Sequence, residues 1–505
     1  MYCSILSAAI CGIEALPVRV EADVSDGLPV FNMVGYVSSQ VREAQDRVRT
    51  SLKNIGLSMP PKRITINLSP GVIRKEGTRF DLPIAAAVLA ALSRIPAASL
   101  LNTMLIGELK LNGGVLGITG VLPSVLKARE SGCRCCLIPY DNLREGLCID
   151  GIRVVGIRSL QDLIDFCTGR LKELPPPRET YYPPAHLPDF SDIRGQDSVK
   201  RASVIAAAGF HNLLMSGPPG SGKSMAARRI PSIMPPLSEE ESLELSQIYS
   251  IVGNLPAGDP LLHARPFRSP HHTISESALT GGGLHPRPGE ITLAHHGVLF
   301  LDELPEMNPH TIELLRQPLE THDITIARSG GTYTFPASFL LVAAMNPCPC
   351  GYYPDRNRCR CTMNDIDRYQ ARISHAFLDR IDLRTDVKPV SYDDLADSTP
   401  GSQSSSSMRE MVIEACEIQK ERYKKYGIRF NSQMTPSDIR RFCPLSPEAS
   451  AILQNAFSNL GMSARAYHRV LKVARTIADL DSSELICQSH IEEALYFRFR
   501  ENQTE

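Results

Sequence analysis

The sequence predicts an α/β protein built on a parallel nucleotide-binding sheet, with an α/β or α+β domain ahead of it and a helical region behind. Three observations predict this. Apolar strand-like runs alternate with helical stretches between about residues 187 and 390, as in a parallel sheet covered on both faces. The first of those runs ends in a phosphate-loop motif, "SGPPGSGKS". Two composition breaks, a proline-rich one at 171–186 and a serine-rich one at 391–408, cut the 505 residues into three bodies, because a chain of this length is too long for one core.

In the first body, residues 1–170, short β-rich runs ("ITINLS", "TMLIGELKL", "IRVVGI") alternate with helical stretches such as "RFDLPIAAAVLAAL". The stretch "LKELPPPRETYYPPAHLPDF" holds six prolines and reads as an extended linker. The middle body, 187–390, carries the runs "NLLMSG", "GVLFLDE" and "FLLVAAMN". "DSTPGSQSSSS" reads as a flexible polar connection. In the last body, 409–505, Ser446 caps a helix with Pro447 at its first position, Gly461 ends it, and Ser463 caps the next.

Net charge is −1 with both signs interspersed, which neither suggests nor excludes a nucleic-acid partner, since only a local basic surface is needed. No run reaches the roughly eighteen apolar residues of a membrane helix. The start meets Glu14 early and has no basic lead-in, unlike a signal peptide. A cytoplasmic protein is the expectation. Most of the 14 cysteines are single and lie in apolar runs, such as Cys136 and Cys416, and read as buried reduced thiols.

Gly217, Pro218, Pro219, Gly220, Ser221, Gly222, Lys223 and Ser224 fit G-x-x-x-x-G-K-[ST] after an apolar strand and before the helical "MAARRI". The glycines let backbone N–H groups turn toward phosphate oxygens, Lys223 supplies a cation for ATP's β- and γ-phosphates, and Ser224 offers a hydroxyl to Mg²⁺. Seventy-eight residues beyond Ser224, an apolar strand runs into Asp302 and Glu303. One carboxylate there can hold the Mg²⁺ shell and the other can orient or deprotonate the attacking water. The third strand ends at Asn346, a neutral group able to hold that water or sense the γ-phosphate, although Asn-Pro is also an ordinary turn signal.

Together with "FRSPHHTISESALTGGG", "RPGEITLAHHGVLFLDELPEM" and "HAFLDRIDL", these residues resemble AAA+ ATPases of the magnesium-chelatase-like clade, specifically the ComM/YifB competence family. The resemblance covers essentially the whole chain. It implies that Asp192–Gln196 closes over the adenine, and that Arg380 is an arginine finger reaching into a neighbouring subunit. It also implies that Arg465 is the second sensor on a helical lid, and that the chain forms a homo-oligomeric ring, a hexamer by analogy. A guanidinium suits developing phosphoryl charge, while a surface salt bridge is the alternative for either arginine. The pairs His271–His272 and His295–His296 fit the clade's helix insert and a strand entry better than a metal site. "ITIARSGGTYTF" (324–335) reads as a hairpin in the place of the pre-sensor hairpin. Its Arg328 can meet a phosphate backbone or simply face solvent.

The first body resembles the Lon protease-like fold and departs from it at both catalytic places. Thr78, Arg79, Phe80 and Asp81 stand around the serine position and Leu122 stands at the lysine. A Ser-Lys mechanism needs a hydroxyl activated by an amine, so a scaffold is expected rather than a peptidase. Cys348, Cys350, Cys359 and Cys361 form two Cys-x-Cys pairs directly after Asn346. Four thiolates suit a closed structural Zn²⁺ site, with reduced thiols or redox chemistry as the alternatives. The resemblance implies an ATP-driven motor on DNA, acting in branch migration during natural transformation. The competing reading is a chelatase-type or chaperone-like ATPase acting on a protein partner.

Overall fold

The computed structural model describes residues 1–177, 188–256, 259–283, 286–328, 331–389 and 403–499. Residues 178–187, which include the second half of the proline-rich stretch, and residues 390–402, which include most of the serine-rich one, lie outside them.

The chain opens with a long antiparallel hairpin, Tyr2–Cys11 against Glu14–Ser25, in register from Tyr2 opposite Asp23 to Cys11 opposite Glu14. Val18, Val20, Ala22 and Val24 are buried along the second strand, the period-two pattern of a sheet with one face on a core. The hairpin lies inside a seven-stranded mixed sheet ordered Phe31–Val34, Arg63–Ser69, Glu14–Ser25, Tyr2–Cys11, Thr103–Leu105, Cys135–Pro139, Arg153–Ile157. Every residue of the helix Asp81–Ala91 is buried, as its all-round apolar sequence demands. Its one charge, Asp81, accepts two hydrogen bonds from Arg47, at 2.7 and 2.9 Å.

The middle body is a five-stranded sheet, parallel throughout, ordered Phe267–Arg268, Val298–Leu301, Leu340–Met345, Leu213–Ser216, Leu383–Asp386. The three apolar runs read from the sequence are three of these strands. Leu340–Met345 lies between Val298–Leu301 and Leu213–Ser216, so the ends of the acidic, asparagine and phosphate-loop strands converge on one edge, where ligands of open parallel sheets bind.

The C-terminal helices share one apolar core with this sheet: Met408, Val412, Val470 and Ile477 pack in the same cluster as Leu213 and Val342. Ser446 and Ser463 cap Pro447–Asn459 and Ala464–Leu480, and Gly461 between them takes φ +57°. The serine-rich stretch differs from its expectation. A helix, Ser405–Tyr423, begins inside it, with the Ser404 hydroxyl accepting from the Ser407 N–H. Ser405 is buried and its hydroxyl accepts from Phe190 N–H at 2.9 Å. Serine favours helix starts as strongly as linkers, and the tertiary contact with Phe190 selects the helix.

Hydrogen bonds and an apolar contact join the first body to the surroundings of the parallel sheet. Gly120 N–H donates to the carbonyl of Ser250, near the end of the helix Glu239–Val252, at 2.9 Å, and the Ser250 hydroxyl donates to Glu145. Ile13, at the first hairpin's turn, packs on the cluster holding Ile324, Ile326 and Phe335. Those residues belong to a second hairpin, Asp323–Arg328 against Gly331–Pro336, with Ile324 opposite Phe335 as the alternation predicts. Its turn residues 329 and 330 lie outside the described residues.

Candidate nucleotide site

The phosphate loop leaves the strand Leu213–Ser216 and enters a short helix at Lys223. Gly220 and Gly222 take φ of +74° and +95°, a left-handed path that a Cβ makes costly. Lys223 is buried and its ammonium donates to the carbonyls of Gly217 (2.7 Å) and Pro218 (2.9 Å) and to Asn346 Oδ1 (3.2 Å). Burial pushes its pKa down, against the pull of Asp302 and Glu303. The Ser224 hydroxyl donates to Asp302 Oδ2 at 2.6 Å, the pairing of hydroxyl and carboxylate that phosphate-loop NTPases use around Mg²⁺. The structure therefore brings Lys223, Ser224, Asp302 and Asn346 into one hydrogen-bonded constellation.

Glu303 follows with φ +50°, a strained conformation for a residue bearing a Cβ, of the kind held only where surrounding structure enforces it. Its N–H donates to Asp302 Oδ1 at 2.9 Å, and its half-exposed carboxylate meets His272 Nδ1 at 3.1 Å. Sequence reasoning placed His272 in the helix insert and missed this pairing. Upstream, Asp192 accepts from Arg229 at 2.6 Å, and Gln196 donates to the Lys388 carbonyl beyond the edge strand Leu383–Asp386.

Arg380 and Arg465 lie together elsewhere. Arg380 is buried against Glu320 at 2.7 Å, and Arg465 reaches the same Glu320 oxygen at 3.0 Å. Among the described residues, neither bonds a residue of the phosphate loop. Asp382, two residues on, pairs with Arg469 and lies 3.6 Å from His211; burial pushes its pKa up, but Arg469 first and His211 second outweigh that and hold the carboxyl well below the usual range. Sequence reasoning missed Glu320; an isolated glutamate at the end of "RQPLE" carries no motif.

The four cysteines converge. Their sulfurs lie within 4.8 Å of one another, with Cys348 at 3.3 Å from Cys350 and 3.7 Å from Cys359, and Cys350 at 3.5 Å from Cys359. The loop abuts the phosphate loop: a Cβ on Gly351 would lie 2.5 Å from Pro219 Cδ, and Gly351 takes φ +85°. Gly351→Ala is thus expected to displace Pro219 and weaken ATP binding about tenfold, a cost of about 1–2 kcal/mol, read as a raised Kd for a fluorescent ATP analogue.

His295, His296 and Glu244 also cluster. The Ser338 N–H donates to His295 Nδ1 at 3.0 Å, so the neutral ring carries its proton on Nε2, the atom that faces Glu244 at 3.3 Å. That tautomer suits an imidazole–carboxylate pair.

At the places of the Lon dyad, Leu122 is fully buried in an apolar cluster. The buried Arg79 donates to Ser124 Oγ (3.2 Å) and the Thr119 carbonyl (2.7 Å). The Thr78 hydroxyl donates to Glu108, and the buried Lys75 ammonium donates to the Pro70 carbonyl.

Comparison with known proteins agrees with this architecture. The profile described as "Magnesium chelatase, subunit ChlI" matches residues 189–395. "Subunit ChlI of Mg-chelatase" matches 20–142, and "Magnesium chelatase, subunit ChlI C-terminal" matches 402–498. The chain is 43% identical over 491 residues to YifB of Escherichia coli K12, covering 97% of this chain and 96% of YifB. It is 41% identical over 502 residues to competence protein ComM of Haemophilus influenzae Rd, covering 98% and 97%. A stretch of 128 residues is 33% identical to Lon protease 2 of Bacillus subtilis, 25% of this chain and 23% of that one. With the phosphate-loop constellation and likeness along nearly its full length, the chain belongs to the ComM/YifB family of magnesium-chelatase-like AAA+ ATPases.

Proposed function

We propose that this protein is a ring-forming motor that couples ATP hydrolysis to the remodelling of DNA, specifically to moving branch points in recombination of incoming DNA. The observation that carries the ring is the division of the site. Loop, acidic pair and Asn346 are assembled within one chain, whereas Arg380 and Arg465 stand together on Glu320. A guanidinium is the group a phosphoryl transition state needs, and two of them gathered away from their own loop suit a neighbour's site. Lys223 neutralises the β- and γ-phosphates, Ser224 and Asp302 hold Mg²⁺, Glu303 orients the attacking water and Asn346 senses the γ-phosphate. Bound Mg²⁺ supplies charge neutralisation at the transferring phosphoryl group. Likeness to a competence protein along almost the whole chain supports DNA as the substrate. The chelatase-type profile matches favour the second reading, an ATPase acting on a protein partner. The first body, with Leu122 buried and Arg79 bonded into the dyad region, serves as a scaffold.

The test is ATP-driven dissociation of a synthetic four-way DNA junction by wild type and Lys223→Ala. Dissociation by the wild type alone supports the motor; hydrolysis of ATP by a wild type inert on junctions moves the search to protein partners.

Cys348, Cys350, Cys359 and Cys361 hold a structural Zn²⁺ in this reading. Sulfurs around a tetrahedral ion with bonds of about 2.3 Å sit about 3.8 Å apart, close to the separations here, and the Tyr353 N–H donates to Cys348 Sγ at 3.4 Å as an outer-shell bond. Purified protein is expected to carry one zinc per chain by metal analysis, and Cys359→Ser to lose it with a lowered Tm. Absence of zinc from the wild type would overturn the assignment.

A further inference from the structure

The cysteine loop carries a second feature that neither the nucleotide site nor the zinc assignment uses. Residues 352–362 hold three arginines, Arg356, Arg358 and Arg360, against one acid, Asp355, and all three arginines are exposed. Among the described residues none of them has a carboxylate partner: Arg356 donates to the Cys361 carbonyl at 2.9 Å, and Asp355 is engaged by the Asn357 N–H at 3.0 Å. The guanidinium of Arg358 lies 4.1 Å over the ring of Tyr352, and that of Arg356 lies 5.1 Å from the ring of Tyr353. The nearby acid Asp365 is likewise occupied, accepting from the Thr362 N–H and hydroxyl in a capping box.

Stacking on a ring covers the face of a guanidinium and leaves its in-plane N–H groups pointing outward, which lowers the entropy lost when it grips an oxyanion. Unpaired cations on an ordinary surface loop are held by nothing. Here the clustered cysteines close the loop at both ends, the tyrosines fix two of the arginines, and Gly351 seats the loop against Pro219. We infer that this loop is a nucleic-acid contact, in which Arg356, Arg358 and Arg360 bind backbone phosphates without regard to base sequence. The inference rests on the DNA reading above and locates part of its substrate surface. Because the same loop abuts the phosphate loop, DNA held there and ATP held at Lys223 are mechanically linked, and such linkage acts in both directions.

The test uses the full chain with a non-hydrolysable ATP analogue. Binding of a labelled single-stranded oligonucleotide and of a four-way junction is followed by fluorescence anisotropy across a salt series. The variants are Arg356→Ala/Arg358→Ala/Arg360→Ala and the corresponding triple lysine. Loss of about three phosphate contacts should weaken binding at least tenfold at low salt and flatten the log–log salt slope by about 2 for single strands. The lysine triple should keep most of the slope, and DNA-free ATP hydrolysis should stay at the wild-type rate in both. Wild-type affinity and slope in the alanine triple would overturn the inference and leave the motor reading standing. A wild type that binds no nucleic acid would sink both. An alanine triple that loses ring assembly or DNA-free hydrolysis would mark the loop as a subunit contact and also overturn the inference.

Discussion

Glu303→Gln is expected to bind ATP as the wild type does and to turn it over about 10²–10⁴-fold more slowly, the range for removing a positioned general base. The substitution keeps side-chain length and the backbone N–H that Asp302 accepts, so the Ser224–Asp302 pair that would hold Mg²⁺ is undisturbed. What disappears is the carboxylate charge, the one feature that deprotonation or tight orientation of water needs. Glu303 is half exposed and its recorded partner is His272, so little stability should be lost. His272→Ala removes only a positioning contact and should cost a factor of about 3–10 in kcat with KM for ATP nearly unchanged. Coupled-enzyme turnover and a fluorescent-nucleotide Kd separate the two effects. A Glu303→Gln protein hydrolysing at the wild-type rate would remove Glu303 from the chemistry.

The parts of this site visible in the sequence are those encoded within a few residues of a strand end. Lys223, Ser224, Asp302 and Asn346 could be assigned because each follows an apolar run, and a parallel sheet brings the ends of such runs to one edge. The cysteine cluster was legible for a similar reason, two close pairs joined by a short loop. Contacts between distant segments were not. His272 reaches Glu303 only after the insert folds back, Arg465 finds Glu320 across 145 residues, and nothing in the spacing of either pair announces it. The serine run shows a further limit: the same residues suit a linker or a helix start, and the partner that decides, Phe190, lies 215 residues away.

Arg380→Ala is expected to lower ATP turnover about 10³–10⁵-fold, the range for an arginine finger, and to recover when mixed with a protein that is itself inactive. The reasoning turns on which chain supplies each half of the site. An Arg380→Ala protomer keeps an intact phosphate loop, and a Lys223→Ala protomer keeps an intact finger. In rings assembled from equal amounts of both, about a quarter of interfaces pair an intact loop with an intact finger, and hydrolysis should return toward that fraction. If Arg380 served its own loop, no mixture could restore it. The same experiment tests Arg465. A lid arginine acting on its own chain's nucleotide predicts no recovery for Arg465→Ala mixed with Lys223→Ala, whereas its placement beside Arg380 on Glu320 predicts recovery for both arginine variants. Glu320 carries one negative charge against two guanidiniums, so the group leaves a surplus positive charge that a neighbour's γ-phosphate can satisfy, and recovery of both variants would identify that pair as the half-site each protomer lends to the next.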